Sequence, residues 1–459
     1  MSRETRPLAA ESLAELRASD ERLGRHAGEP EWLSNLRERA WASFQEQGIP
    51  TRRLEAWKST SLVPLEAMEF ARVGPASSSP STPPGALPAL APTEAGQSLV
   101  FVDGVLDPAR SPAGALPAGC RLTSLARARA ESSGMLEGQL GRLAEPKRSA
   151  LVGLQTAFLD DGAVLTIEPG VTLDAPLHLR FLSTGHAGEG PSAAFPRLLV
   201  VAGAGSRAAV GLEHDSIGEA AGLTAFVGEL HLAAGASVEL AQIQRESASR
   251  IHFTSLHARL ERDARLDSHV FTLGGGLTRS ELEVVLAEPG GEARLRGFFL
   301  GRGSGHVDHY TTVDHAAEHC TSDEEYRGVL DDHSHGIFRG RVIVRPDAQK
   351  TDARQSNPNL LISPGASVDA KPQLEIYADD VRASHGSTIG QLDPDALFFL
   401  RSRGIDSNHA RRLLTHAFAR AIIDGVATES LREIATDRVS TALAGLADGS
   451  TRDATEGAK

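Results

Sequence analysis

A repeating pattern of short apolar runs dominates the chain from about residue 160 onward. Runs such as "GELHLAAGASVELAQI" and "LEVVLAEPGGEARLRGFFL" alternate apolar with polar residues and are separated by turns rich in glycine and alanine. The turn alanines Ala236, Ala264 and Ala293 recur at spacings of 28 and 29 residues. This period is typical of stacked-turn folds, in which each unit buries its apolar face against the next. The alternation indicates strands with one buried face, so we predict a right-handed β-helix over residues 159–385. A β-sandwich is the structural alternative, although its hairpin turns would be denser.

The region before this core, residues 1–158, is predicted to be mainly helical. The segment "EPEWLSNLRERAWASFQEQG" has Pro30 in a first helical turn and Gly48 at the helix end. Its apolar residues recur at helical spacing: Leu33, Leu36, Ala40 and Phe44. Residues 74–92 carry six prolines and four serines, which predicts an extended or flexible linker.

Two further local patterns lie between this linker and the core. The dipeptide Asp103-Gly104 inside "SLVFVDGVLD" predicts a β-hairpin turn. Residues 121–158 then return to helical spacing.

The region after the core, residues 386–459, is predicted to be a helical segment with a disordered tail, "DGSTRDATEGAK". Asp393 is placed to cap a helix that begins at Pro394 and ends at Gly404. A second helix, capped by Asp406 or Ser407, has arginines on its other faces and a predicted apolar stripe: Leu414, Phe418 and Ile422, backed by Leu413 and Ala417.

Composition excludes several classes of function. The net charge of −13 argues against a nucleic-acid binder, because such proteins neutralise phosphates with lysine and arginine. The two cysteines, Cys120 and Cys320, lie 200 positions apart and cannot form a disulfide framework, which favours a reducing compartment. No apolar run is long enough to span a bilayer and "MSRETRPLAA" lacks the core of a signal peptide, so we expect a cytoplasmic protein without a membrane partner.

One segment of the predicted core concentrates potential metal ligands. Neutral imidazoles and a thiolate suit zinc or iron. On an alternating strand His309 and His315 would share a face and His306 would point the other way, so the spacing does not match one site and hydrogen-bonding histidines are the alternative. The candidates are His306, His309, His315, His319, Cys320, His333 and His335. Cys320 by itself is more typical of a small buried apolar residue.

Enzymatic motifs are missing from the sequence. It contains neither a phosphate-binding loop nor a nucleophile elbow, and "LGGG" at 273–276 is a turn signal. A carbohydrate-active β-helix enzyme remains an alternative, since acidic and basic residues occur on some turns: Asp331, Asp332, Arg339 and Arg341. Such an enzyme would need a convergent carboxylate pair in an acidic cleft.

The end of the core carries a long stretch that resembles a known family. Residues 347–405, "DAQKTDARQSNPNLLISPGASVDAKPQLEIYADDVRASHGSTIGQLDPDALFFLRSRGI", closely resemble the SufD family, subunits of the SUF iron–sulfur cluster assembly machinery. Similar segments are "HVDHYTTVDHAAEHCTSDEEYRGVL" at 306–330 and "PTRRLEAWKSTSL" at 50–62. The resemblance is strongest over about residues 305–424 and weak over residues 75–250. The low cysteine content fits SufD better than its cysteine-rich sister subunit SufB.

This resemblance implies a function and one site. It implies a non-catalytic scaffold subunit with a β-helix core, which pairs through that core with SufB and contacts the SufC ATPase through its C-terminal helical segment. It also implies that His385, in "SHG", is a candidate iron or cluster ligand at the SufB interface, where a transient cluster is shared between subunits. Many relatives have cysteine where this chain has Ala383, so a thiolate from that position is ruled out. A reduced flavin in the assembled complex is a further implication, without an identified site, and a purely structural binding platform is an alternative.

Overall fold

A computed structural model describes residues 8–22, 28–66, 68–70, 97–112, 114–184, 191–219 and 221–446. The predicted linker at 74–92 and the predicted disordered tail lie outside these described residues. Among them, no helix combines the length and apolar composition needed to cross a membrane.

The described residues form helices at the two ends of the chain and strands between them. The α-helices are α1 (Leu8–Arg22), α2 (Glu31–Gln47), α3 (Val63–Glu66), α4 (Leu125–Gln139), α5 (Ala150–Ala157), α6 (Pro394–Ser402), α7 (Ser407–Ile423) and α8 (Glu429–Ala444). The strands are β1 (Ser98–Val102), β2 (Val105–Leu106), β3 (Cys120–Ser124), β4 (Gly162–Ile167), β5 (Leu177–Ser183), β6 (Ser192–Ala194), β7 (Arg197–Ala202), β8 (Arg207–Ser216), β9 (Gly222–Leu232), β10 (Ser237–Arg245), β11 (Arg250–Leu260), β12 (Arg265–Thr272), β13 (Leu277–Leu286), β14 (Glu292–Gly301), β15 (His306–His315), β16 (Thr321–Leu330), β17 (His335–Val344), β18 (Asp352–Leu361), β19 (Ser367–Ile376) and β20 (Arg382–Gly390).

The strands build two facing parallel sheets, as a β-solenoid requires. From β7 onward, successive strands alternate between sheet 1, which ends β15-β17-β19, and sheet 2, which ends β16-β18-β20. Ser237 pairs with Arg265, Arg265 with Glu292, and Glu292 with Thr321, so these three turns take 28, 27 and 29 residues, and the next turn, from Thr321 to Asp352, takes 31. The predicted solenoid core and its flanking helices are therefore confirmed.

The alignment of the turn alanines is correct for one step and wrong for the next. Ala236 and Ala264 occupy equivalent turns, but Ala293 pairs with Leu266 and lies two positions further on. The turns differ in length, so a fixed spacing loses the register. All three alanines are buried, because a shift of two residues keeps a side chain on the same face of a strand.

The N-terminal helices pack on the outer face of sheet 1. The predicted apolar positions of α2 are buried, and Gly48 ends the helix with a positive φ of 66°. Pro30 is the N-cap residue and lies one position before the first turn. The hairpin at Asp103-Gly104 is present, with β1 joined to sheet 2. The first residues of the predicted helical stretch 121–158 instead form β3, which pairs with β4 because Leu122 and Ser124 are buried there.

The C-terminal helices return along the outer face of sheet 2. Asp393 and Asp406 cap α6 and α7 as predicted, and Gly404 lies past the end of α6 with a φ of 83°. The predicted stripe of α7 is confirmed in part, because Phe418 packs against the apolar cluster on sheet 2 whereas the backing residues Leu413 and Ala417 are exposed. Ile422 is buried as expected, but Leu413 is 42% exposed. The buried face is Ala410, Thr415, Ala419, Ile422 and Ile423, because this face meets the apolar residues of sheet 2.

Candidate functional site

His385 lies on β20, the terminal strand of sheet 2. It pairs with Gln355 on β18, and no described strand pairs with the other edge of β20. The strand continues to Gly390, past the predicted boundary after residue 385, so Gly386 and Gly390 extend the strand and do not form a turn. His385 is therefore an exposed residue on an open sheet edge.

The imidazole of His385 belongs to the face of the strand that points into the solenoid. On β18 the side chains of Ala353, Gln355 and Asn357 are buried, whereas Arg354 is exposed. Parallel pairing in register puts His385 on the same face as Gln355. An inward-facing residue is exposed here because no described turn stacks on top of it.

A polar column lies directly behind His385. The position is occupied in earlier turns by Leu240, Ser268 and Leu295, and in the two turns before the last by Glu324 and Gln355. Gln355 Nε2 donates to Glu324 Oε2 over 2.6 Å. Glu324 is fully buried, and this burial raises the pKa of its carboxyl group to about 7. At this one position the larger side chains thus change from leucine to glutamate and glutamine toward the open end.

The described residues near His385 do not complete a metal site. Ala383 lies beside Ala353 at the inward position two residues before His385, so this strand offers one nitrogen ligand and no thiolate. Nowhere in the described ranges do three or more histidine, cysteine, aspartate or glutamate residues cluster as a metal site. A metal bound at His385 would need its other ligands from elsewhere.

The histidine-rich segment divides between the core and the surface. His309 and His315 are buried, and burial lowers both imidazole pKa values to about 4. His309 packs between Phe299 and Tyr326, while His315 hydrogen-bonds Ser322 over 2.8 Å. These contacts make both histidines part of the fold.

His306 and His335 are adjacent across β15 and β17, with ring centroids 5.1 Å apart. Thr60 donates to Asp308 and lies 3.0 Å from Nε2 of His306, which ties the N-terminal segment to sheet 1. A cleft of about 690 Å³ opens beside this pair, lined also by Arg52 and Met68. Sequence reasoning missed the pair, because strand register is not visible in sequence spacing.

The other candidate residues have structural partners. Cys320 is buried, its Sγ lies 3.4 Å from the carbonyl oxygen of Glu288, and burial raises its thiol pKa. It precedes β16 and does not lie within the strand. His319 and His333 are exposed in turns.

The four residues considered for carbohydrate chemistry also serve the fold. Asp331 accepts from Ser363, Asp332 accepts from the Gly303 amide, and Arg341 pairs with Glu375. Arg339 donates to the backbone carbonyl of Glu55, so these four side chains contact separate partners. They do not form the acidic cleft that a glycosidase needs.

Large apolar residues are exposed at the open end of the solenoid and on α6, and sequence reasoning missed them. They are 42% to 73% exposed: Ile376, Tyr377, Ile389, Phe398 and Phe399. Exposed apolar residues that lie on adjoining elements are typical of protein interfaces. Ile376, Tyr377 and Ile389 lie at the open end of the solenoid, whereas Phe398 and Phe399 form a separate apolar patch on α6.

Comparisons with known proteins agree with this architecture. The family model described as SUF system FeS cluster assembly, SufBD core domain, matches residues 182–418, and the SufBD protein N-terminal region matches residues 13–179. An iron–sulfur cluster assembly SufBD family protein of Synechocystis is 30% identical over 428 residues, covering 91% of this chain and 93% of the relative. Iron-sulfur cluster assembly protein SufD of Escherichia coli is 30% identical over 403 residues, covering 87% of this chain and 90% of the relative. The chain therefore belongs to the SufBD family of SUF iron–sulfur cluster assembly proteins and is a homologue of SufD.

Proposed function

We propose that this chain is a non-catalytic scaffold subunit that pairs with a SufB-like subunit and a SufC-like ATPase and holds a nascent iron–sulfur cluster at the SufB-like interface. The observation that carries this proposal is the placement of His385 on the open edge of the last turn. An edge of this kind exposes unpaired backbone N–H and C=O groups, which can form hydrogen bonds with a strand of another chain.

The open end supports pairing with the SufB-like subunit. β19 and β20 both have a free edge among the described strands, and Ile376, Tyr377 and Ile389 expose apolar surface there. A second solenoid of matching geometry would bury these groups and would extend both sheets. It would also bring its own side chains next to His385.

The C-terminal helices support a separate contact with the ATPase. α7 and α8 bury one face on sheet 2, so that face is not available to a partner. α6 has no fully buried residue, and Phe398 is 73% exposed. Phe398, Phe399 and the exposed Leu413 of α7 are the apolar groups left for this contact.

The chemistry of the site fits a cluster that is shared and released. A neutral imidazole binds iron, and a thiolate from the partner would complete the pair that Ala383 cannot supply. A cluster held between two chains would respond to their relative motion when the ATPase acts. A reduced flavin stays a prediction, since the described residues contain no glycine-rich phosphate-binding loop that would hold a flavin nucleotide.

Co-expression with SufB-like and SufC-like subunits tests the proposal. His385→Ala should leave the complex intact and lower the iron that co-purifies, whereas His409→Ala, at an exposed histidine of α7, should change neither. Normal iron content in the His385→Ala complex would favour a purely structural platform. Failure of the wild-type subunits to associate would refute the main proposal.

Two surface variants separate the two partner contacts. Ile389→Lys should abolish binding of the SufB-like subunit and retain the ATPase, and Phe398→Asp should do the reverse. Leu54→Lys is the matched control, because Leu54 and Ile389 are both 53% exposed and lie on different surfaces. Loss of both partners in either variant would contradict the assignment of separate contacts.

A further inference from the structure

Gln355 lies directly behind His385 on the adjacent strand, and its contacts point to a role in orienting the His385 imidazole. This inference rests on the proposed function, since it concerns how His385 is prepared to bind metal. A histidine that binds a metal through one ring nitrogen normally donates the other ring N–H to a fixed acceptor, which selects the tautomer and the ring orientation. Among the described residues, His385 pairs with Gln355 through the backbone of its strand, and no hydrogen bond to its ring is present.

The Gln355 side chain is fixed in one direction. Its Nε2 donates to Glu324 Oε2 over 2.6 Å, so the amide nitrogen points toward the preceding turn. A side chain at Gly340, on the facing sheet, would collide with this amide group, so Gly340 provides the space in which it lies.

The amide oxygen of Gln355 is left without a partner. Oε1 is buried and accepts no hydrogen bond from the described residues. With its nitrogen turned to the preceding turn, the amide can direct Oε1 toward the last turn. There Gln355 is in register with His385, and neighbouring strands lie about 4.8 Å apart.

We propose that Gln355 is a positioning residue, whose Oε1 accepts a hydrogen bond from one ring N–H of His385 and so presents the lone pair of the other ring nitrogen to the open end of the solenoid. Glu324 acts one step further back, because it holds the amide in the orientation that has oxygen toward His385. If the amide were reversed, its N–H groups would face the imidazole and the opposite tautomer would be favoured. Gln355 touches neither the iron nor the cluster.

The tautomer of His385 is the direct test. In the full-length chain labelled with ¹⁵N-histidine at about pH 8, where a free imidazole is neutral, the nitrogen shifts distinguish the two tautomers. The His385 signals are identified by their loss in His385→Gln. Wild type should show one tautomer and Gln355→Leu should show a mixture. The exchanged pair Glu324→Gln/Gln355→Glu keeps one amide donor, one carboxylate and an acceptor behind His385, and it should restore a single tautomer. The same tautomer ratio in wild type and Gln355→Leu would overturn the proposal.

Two controls distinguish the loss of the Gln355 acceptor from a general folding defect. Gln242→Leu replaces another buried glutamine of the solenoid whose Oε1 also lacks a partner, and it should leave the His385 signals unchanged. If Gln355→Leu alone fails to fold, the double variant Glu324→Leu/Gln355→Leu replaces the column with the residue found in earlier turns, Leu240 and Leu295. It should show the same mixture of tautomers.

Measurement of iron binding tests the proposed function of His385 separately from the orienting role of Gln355. In the co-expressed complex, Gln355→Leu should weaken the affinity for added ferrous iron by about 10- to 100-fold, as expected for loss of an orienting partner. If His385→Ala does not affect iron and the tautomer still changes in Gln355→Leu, then the proposed function fails and the orienting role stands. If His385→Ala lowers iron but Gln355→Leu changes neither tautomer nor affinity, the orienting role is refuted.

Discussion

The buried carboxyl group of Glu324 predicts how the free energy of unfolding changes with pH. Its carboxyl group is buried inside the solenoid, where loss of hydration raises its pKa from 4.5 to about 7. The charge of Arg296 acts to lower the pKa of Glu324, but Arg296 is itself paired with Asp323 and does not offset the loss of hydration. The hydrogen bond from Gln355 offsets only part of this penalty.

The direction of the pH effect follows from proton linkage. Between about pH 4.5 and 7 the native state holds a proton on Glu324 that the unfolded chain has lost, so the free energy of unfolding falls as pH rises. A difference of 2.5 pKa units corresponds to about 3 kcal/mol. Glu324→Gln keeps a neutral side chain that can bond Gln355 at every pH. We expect the variant to gain about 3 kcal/mol relative to wild type between pH 4 and pH 8.

Urea unfolding of both chains across this pH range measures the difference. All other titrating groups are common to the two proteins, so the difference between their curves isolates Glu324. Glu325→Gln, which removes the neighbouring carboxylate on the outward face, serves as the control and should show no such rise. Parallel curves for wild type and Glu324→Gln would refute the reasoning that Glu324 is protonated by burial.

Three further predictions concern contacts that hold appended segments on the solenoid or stabilise its interior. Thr60→Val removes the hydroxyl that donates to buried Asp308, should cost about 1–3 kcal/mol, and should speed amide exchange in the N-terminal segment; unchanged exchange would argue against this contact. Glu239→Ala removes the acceptor of the amide groups just before α8, should cost about 2 kcal/mol, and should raise proteolysis of α8 specifically. Arg197→Met leaves Glu229 buried without its cation and should cost about 3–5 kcal/mol in urea unfolding, so a loss below about 1 kcal/mol would contradict the ion pair.

Some features of this fold are readable from sequence and others are not, for a physical reason. The caps at Asp393 and Asp406 act through a side chain and amides two or three residues away, so they are visible in the sequence. The buried face of α7 is set by the apolar groups of sheet 2, which are distant in the chain, and the prediction therefore placed Leu413 on the wrong side. Pairing of His306 with His335 depends in the same way on strand register.

The position of His385 depends both on local sequence pattern and on contacts between residues that are distant in the chain. Alternation along the strand fixes which face of the solenoid His385 shares, and the resemblance in "SHG" marks it as worth testing. Its accessibility depends on a property that no local pattern encodes, namely that no further turn among the described residues follows β20. In an earlier turn a histidine facing inward is buried and inert, as His309 is. At the last turn the same orientation leaves a polar column behind the imidazole and an open edge in front of it. Under the proposed function, a partner that covers this edge would bury the His385 imidazole, and the proposed hydrogen bond to Gln355 would hold the side of the ring that faces the solenoid.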